Sequence, residues 1–333
     1  MKSFNIEPFK LVYAQIDKTR LDAFLAKEYQ EISRAIWINL IEESKVLVNG
    51  NSVKPAYNLK INDVVELSSS ASQSSFMQQL ENFTEYKGPS VEVVYHDDDI
   101  LVVNKPIGIS VHPNDHDLLI NTLVGFLITN NYIDYKLWSD EYISEGRPGI
   151  VHRLDKGTSG LLLCARNQKS ADKIKIQFKN RTCTKEYEAV VDNNFFEIFS
   201  KIPSKVTEHI KNNIDTSSLI ADEQINKVSI GTLISRDKKY HSRYWVSDKG
   251  KMAISHFYFL KKVSNGDLVK INIETGRTHQ IRVHCKFLNK PIVGDSLYAG
   301  PKSDRIYLHA SKLKFIHPES EKQMVFDSPS NFI

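Results

Sequence analysis

The sequence predicts an α+β protein of two domains. Short apolar runs of strand type dominate, and the two clear helical spacings, at 169–178 and 278–288, fall among them without a repeating βαβ unit. Ser occupies six of the eight positions from Ser68 to Ser75, a composition that interrupts the apolar pattern and reads as a flexible linker. A chain of 333 residues is long enough for about two domains. We place them at 1–67 and 91–333, with 68–90 as the linker.

Taken in order, Leu21, Phe24 and Leu25 follow helical spacing, and Ser33 is placed to cap a second helix carrying Ile36, Leu40 and Ile41. Val46 to Val48, the Asn49-Gly50 turn and Val53 read as a hairpin, with Val64 to Leu67 as a later strand. Past the linker, Val91 to Tyr95 and Ile100 to Asn104 form a hairpin-like pair around Asp97-Asp98-Asp99. Leu161 to Ala165 is a short continuous apolar run bounded by turn residues, so it reads as a buried strand. Tyr187 to Val191 and Val269 to Ile273 alternate as half-buried strands. Lys169 to Phe178 and Thr278 to Leu288 are the helices.

Composition removes several classes of function. No apolar run approaches the roughly 18 residues that span a bilayer. The start, Met1-Lys-Ser-Phe-Asn-Ile-Glu-Pro8, lacks the basic head and apolar stretch of a secretory signal, so a cytoplasmic protein is expected. Cys164, Cys183 and Cys285 are too few and too scattered for a disulfide framework or a zinc knuckle. The 11 histidines include no metalloprotease spacing, and no Walker loop or Gly-x-Gly-x-x-Gly is present. Neither a metal nor a cofactor is expected. A net charge of +4 permits a nucleic-acid partner without requiring one.

Chemistry points to Gly149-Ile-Val-His152-Arg153-Leu-Asp155-Lys-Gly-Thr158-Ser159-Gly160. A lone acid sits there between buried-looking runs, flanked by Arg153 and a Thr-Ser-Gly turn. An isolated Arg-x-Asp is ordinarily a turn cap, but further blocks accompany this one. They are Asp98-Asp99-Ile-Leu-Val-Val-Asn104-Lys105-Pro106-x-Gly108, Lys185-Glu-Tyr187-Glu-Ala-Val190, Glu274-Thr-Gly276-Arg277-Thr-His279-Gln-Ile-Arg282-Val-His284, and Pro291-Ile-Val-Gly294-Asp295 followed by Tyr298. Leu308-His309-Ala and His317-Pro318 close the series. Together these resemble the pseudouridine synthases, in the subgroup that includes the ribosomal large-subunit enzymes RluA, RluC and RluD, over roughly residues 91 to 327.

The resemblance implies a catalytic fold built on a mostly antiparallel mixed central sheet flanked by helices. It implies an RNA substrate, most readily large-subunit ribosomal RNA, and an Asp155 nucleophile. It also implies that Arg282 pairs with Asp155 and that Tyr187 lies against the target uracil, its hydroxyl assisting the proton step. Arg153 would fill the space of an extruded nucleotide, and Lys185, Arg277 and His279 are counted with it as substrate-binding candidates. Helical spacing puts His279, Arg282 and Lys286 on one face and Ile281, Cys285 and Leu288 on another. An aspartate carboxyl is ionised near neutrality unless buried without a partner, and a guanidinium fork can hold it while leaving one oxygen free. The isomerisation neither gains nor loses atoms or electrons, which suits a chain without cofactor motifs.

Arg20-Leu-Asp22-x-Phe-Leu, Ser33-Arg34 and Val46-Leu-Val-Asn49-Gly50 are similar to the small RNA-binding S4 domain, an α/β module. Residues 18 to 67 hold seven basic and seven acidic side chains, so RNA contact there depends on placement, with Lys18, Arg20, Lys27 and Arg34 gathered on the two helices. Elsewhere, 166–188 and 236–251 each carry an excess of four basic residues, the second with Tyr240, Tyr244 and Trp245 interleaved for stacking. His152, Thr158 and Ser159 read as scaffolding around Asp155, and Gly157, Gly160, Gly276 and Gly294 as backbone needs at turns. Residues 193–230 are longer than the family pattern, and Ala253-Ile-Ser255 keeps a hydroxyl where the family has threonine. The chain is expected to act as a monomer on RNA. The same chemistry on transfer RNA, and a noncatalytic RNA-binding or ribosome-assembly factor, are the alternatives.

Overall fold

The structure, a computed structural model, describes residues 6–15, 17–30, 32, 34–67, 75–114, 117–195, 218–222, 227–237, 240 and 242–332. Ser33, residues 68–74 of the linker, most of 193–230, and Lys238 with Lys239 lie outside the described residues. The chain divides into two compact units, 1–88 with 112–150, and 89–111 with 151–333.

In the first unit, strands β1 (Phe9–Val12), β2 (Val46–Val48), β3 (Asn51–Ser52) and β4 (Val64–Leu67) form a sheet in the order β1-β4-β2-β3. Helices α1 (Leu21–Glu28) and α2 (Arg34–Glu42) cover it. Leu21, Leu25, Trp37, Ile41 and Val46 fill the core between them. The spacing of Leu21, Phe24 and Leu25 buries one stripe of α1, as an amphipathic helix requires. Lys18 and Arg20 precede α1 instead of lying on it; Arg20 is its N-cap. Helix α3 (Ser75–Glu81) lies within the stretch expected to be linker. With α4 (Leu123–Thr129) and α5 (Asp140–Ser144) it completes this unit, and α5 packs on both α2 and α3.

The second unit is built on one large sheet. Its strands are β5 (Glu92–His96), β6 (Ile100–Lys105), β7 (Ser159–Ala165), β8 (Thr184–Val191), β9 (Ser218–Asp222), β10 (Lys227–Arg236), β11 (Tyr244–Val246), β12 (Lys251–Val263), β13 (Gly266–Ile273), β14 (Leu308–Ile316) and β15 (Gln323–Asp327). The order is β11-β10-β12-β13-β8-β14-β7-β6-β5, with β9 beside β10 and β15 beside β14. Among the described strands only β7 and β14 run parallel, so the sheet is mixed and mostly antiparallel. Every residue of β7 is buried, in keeping with its unbroken apolar sequence. Gly160 makes the β7–β14 pairing possible: its φ is +115°, and a Cβ there would stand 2.3 Å from the Ala310 carbonyl oxygen. Helix α6 (Gln168–Lys179), capped by the Asn167 side chain, returns the chain from β7 to β8. Helix α7 (Gln280–Phe287) packs on β11 and β12.

Candidate active site

Asp155 sits in the turn that precedes β7, its carbonyl accepting from the Thr158 amide at 3.0 Å. Three elements fix that turn. His152 Nε2 accepts from the Leu163 amide at 2.9 Å, and burial, with Lys185 nearby, pushes its imidazole down to about 3, so it stays neutral. Ser159 Oγ contacts His309 Nδ1 at 2.9 Å and accepts from Arg305 Nη2 at 2.7 Å. Lys105, fully buried at the end of β6, donates to the carbonyls of Pro106 (2.9 Å), Ile109 (3.2 Å) and Lys156 (3.5 Å). Burial pulls the Lys105 ammonium down to about 7; the Asp155 charge opposes this and Arg305 adds to it.

Arg282 reaches Asp155 from the first turn of α7, with Nη1 to Oδ2 at 3.0 Å. Its other two donors clasp Asp295 in a bidentate pair, Nε to Oδ2 at 2.7 Å and Nη2 to Oδ1 at 2.9 Å. The guanidinium also lies 5.1 Å from the Tyr298 ring centroid. Burial alone would weaken its hold on the proton, but Asp295 and Asp155 outweigh that cost and raise its pKa. Helix α7 is itself anchored from within. His284 bridges Thr232 Oγ1 (3.0 Å) and Ser255 Oγ (2.9 Å), and Gln280 donates to Ser255 Oγ at 2.9 Å. The hydroxyl retained at Ser255 is therefore a helix anchor.

His279, the residue before α7, has a left-handed backbone. Its Nδ1 is 2.9 Å from the Tyr298 hydroxyl and its Nε2 3.7 Å from Asp155 Oδ2. Burial lowers its pKa in spite of the nearby Asp155 charge. Burial takes Tyr298 up to about 12. Tyr187 projects from the middle of β8, 6% exposed; burial first and the Asp155 charge second raise its hydroxyl well above the usual tyrosine range. Asp155, Arg282, Tyr187, His279, Arg153 and Lys185 all line one open cavity of about 590 Å³, a size suited to a small-molecule or nucleotide-sized ligand. Arg277 lines it too, its Nε donating to the Met252 carbonyl at 3.0 Å, and Arg153 Nη2 donates to Thr278 Oγ1 at 3.0 Å.

The sequence profile of the RNA pseudouridylate synthase family matches residues 99–287, more than half of the chain. The chain belongs to this family. An S4 domain matches residues 19–65. The synthase is 33% identical over 318 residues to an uncharacterized RNA pseudouridine synthase of Bacillus subtilis, YlyB, covering 93% of this chain and 90% of that one. It is 34% identical over 249 residues to ribosomal large subunit pseudouridine synthase D of Borreliella burgdorferi, covering 73% and 67%. The protein of that name from Yersinia pestis is 31% identical, with 92% and 85% covered. The solved structure of human RNA pseudouridylate synthase domain containing 1 superposes with a TM-score of 0.51 at 23% identity, covering 73% of this chain and 85% of that one, so the fold is shared. The synthase is an isomerase, and its fold is the α+β class expected.

Several side chains of the synthase stand differently from the expectation. In 166–188, Arg166 lies by Asp98, and Lys169 and Lys173 hold Glu319, so Lys179, Arg181 and Lys185 are the cations of that stretch on the cavity. Tyr244 packs against His279 and Trp245 against Tyr298, with ring centroids 5.6 and 6.0 Å apart. They brace the site through these two rings while staying half-exposed. Gly160 and Gly294 have positive φ, whereas Gly157 and Gly276 do not. In the S4 domain, Arg20 and Arg34 both hold the fully buried Asp22, at 2.7 and 3.0 Å, and remain half-exposed. Lys18 is exposed.

Asp295, Tyr298, Lys105 and His309 drew no role from the sequence, although each stands in a family block. An acid directly after the apolar run Pro291-Ile-Val-Gly294 was the available signal for Asp295: such an acid is buried, and a buried acid needs a cation. Among the described residues one trio of metal-type ligands meets, Asp97, Asp99 and His317. Tyr95, Asn167, Ser170 and the amides of Asp99 and Ile100 already engage its carboxylates, and none of the three lines the cavity.

Proposed function

We propose that the synthase converts specific uridines of large-subunit ribosomal RNA to pseudouridine, with Asp155 as the nucleophile. The observation that carries this is the Arg282–Asp155 pair lining an open cavity that Tyr187 also lines. Only Oδ2 of Asp155 takes the Arg282 bond, so the other oxygen is available to ribose carbon 1′. Attack there forms a bond from Asp155 to carbon 1′ and breaks the bond to nitrogen 1; the uracil turns and its carbon 5 bonds to carbon 1′ as the Asp155–carbon 1′ bond breaks, which returns the carboxylate. A proton then leaves carbon 5 and one is gained at nitrogen 1, so the formula is unchanged.

Tyr187 supplies a ring for the detached uracil. Because its hydroxyl keeps its proton at neutral pH, it acts in the proton step as a donor and relay and not as a phenolate base. Arg153, Arg277 and His279 hold the extruded nucleotide, whose release from its stack costs a few kcal/mol that contacts elsewhere on the RNA offset, and Lys185 is a further substrate-binding residue. We assign those contacts in part to residues 1–67, with Lys18, Arg20 and Arg34 facing RNA, ahead of a linker at 68–90 and a catalytic domain from 91 to 333. The large-subunit target is favoured by relatives named ribosomal large subunit pseudouridine synthase D. The enzyme works as a monomer in the cytoplasm; the isomerisation is redox-neutral and needs no redox cofactor, and Asp155, Arg282 and Tyr187 supply its chemistry without a metal.

RNA tritiated at uracil carbon 5 tests the chemistry. Wild type should release tritium and Asp155→Asn should not; release by both removes Asp155 as nucleophile, and release by neither favours a binding-only protein. Mapping pseudouridine in ribosomal and transfer RNA from a deletion strain tests the target. Loss confined to transfer RNA overturns the ribosomal assignment.

A further inference from the structure

Lys185 and Tyr187 are two residues apart on β8 and line the same cavity. They therefore share one face of the strand, about 7 Å apart along it. The Lys185 ammonium has no carboxylate or hydrogen-bond partner among the described residues; its recorded neighbour is the Phe178 ring, 5.2 Å from centroid. Burial holds its pKa below the ordinary lysine range. Such a desolvated, unpaired cation is costly in the free protein, and an arriving anion offsets the cost.

The neighbourhood repeats the pattern. Lys179 ends α6, and Arg181 follows in the turn to β8 with a φ of +59°. Both are exposed at the cavity, and among the described residues neither has an acidic partner. Across from them Gly276 keeps the ammonium open, since a Cβ there would come within 3.3 Å of Lys185 Nζ. Of the acids that line this cavity, Asp155 bonds Arg282 and Glu274 bonds His256 at 2.9 Å, and among the described residues neither pairs with Lys179, Arg181 or Lys185. A neutral base carbonyl is satisfied by one donor, whereas three cations without a counter-ion match a phosphodiester.

We propose that Lys185, Lys179 and Arg181 form a phosphate subsite that grips the RNA backbone of the nucleotide next to the target uridine. The assignment to a neighbouring nucleotide rests on the reading of Asp155 and Tyr187 as the seat of the target itself.

Binding of a short fluorescent oligouridylate to the full-length protein, followed by anisotropy across a range of salt, tests the subsite without turnover. Lys185→Met should make the slope of log affinity against log salt shallower by about 0.7, the contribution of one single-strand phosphate contact. Lys185→Arg should restore it. Arg181→Gln, at an exposed position that tolerates exchange, should flatten the slope similarly even if Lys185→Met proves unstable. Lys322→Met, exposed, away from the cavity lining and outside the basic stretches, should leave it unchanged. An unaltered slope in both subsite variants, or equal flattening by Lys322→Met, overturns the proposal. Tritium release read on the same wild-type protein separates the two readings: an unaltered slope with normal release removes the subsite alone, and flattening without release removes the Asp155 chemistry alone.

Discussion

Arg282 does two jobs that a pair of substitutions can separate. It donates two charged hydrogen bonds to Asp295 and one to Asp155. The side chains of Arg282 and Asp295 are 8% and 1% exposed, against 25% for Asp155. Arg282→Met leaves Asp295 buried and uncompensated, a loss of about 3–5 kcal/mol. Asp295→Leu leaves the guanidinium with Asp155 as its remaining anion and falls at the lower end of that range. The double variant replaces a buried ion pair with apolar side chains, a change that is often neutral or stabilising. Its stability should therefore exceed the additive expectation by at least about 3 kcal/mol, the upper end of the usual range of couplings. Activity should not follow. With no guanidinium, Asp155 loses its orientation, and tritium release should fall roughly 100-fold or more in Arg282→Met and in the double variant alike, the scale of a small misplacement of a reacting group. Urea unfolding gives the stabilities and carbon-5 tritium release gives the rates. A double variant as unstable as the sum of its parts would show that Asp295 does not balance Arg282, and one that turns over like wild type would show that Asp155 works without it.

Tyr187→Phe keeps the ring and removes the hydroxyl, so oligouridylate affinity should stay within twofold while tritium release slows by about 10²–10⁴, the usual worth of a positioned proton-transfer group; equal loss of both would make Tyr187 a binding residue only. Lys105 gives a pH signature. Its folded pKa lies below the unfolded value, so its burial opposes folding fully below about pH 7 and ceases to do so as pH rises toward 10.5. Thermal stability of wild type should gain over that window relative to Lys105→Met, and parallel pH profiles for the two proteins would refute the assignment. Asp22→Asn removes a negative charge from the S4 domain, yet RNA affinity should drop, because Arg20 and Arg34 lose the carboxylate that aims them; a rise in affinity would mean that charge, and not placement, governs binding there.

The parts of this protein legible from sequence are those written in local periodicity. The apolar run Leu161 to Ala165 became a wholly buried strand, and the helical spacing of Lys169 to Phe178 became α6, because each pattern is satisfied by neighbours within a few residues. The Asp155–Arg282 contact spans 127 residues, and no periodicity carries it; family blocks did. Those blocks named Asp295 and Lys105 without giving them work, since burial of a single charge is a property of the packed sheet. The helix at Ser75–Glu81 escaped because serine composition spoke louder than the Phe76, Met77 and Leu80 that follow it.

Asp295 explains what a simple ion pair at Asp155 would not. One guanidinium paired with one carboxylate is neutral, and a neutral pair is a poor nucleophile. With Asp295 taking the bidentate face, Arg282 is already balanced, and Asp155 receives only the remaining Nη1 bond. The trio carries a net negative charge, and that charge falls on the carboxylate that is a quarter exposed, not on the one that is 1% exposed. His279, kept neutral by burial beside Asp155, does not cancel it. Such an arrangement suits the nucleophile we propose, since it holds the free Asp155 oxygen in position and leaves it anionic, so neutralising the inner carboxylate should weaken the outer one even though the two share no bond.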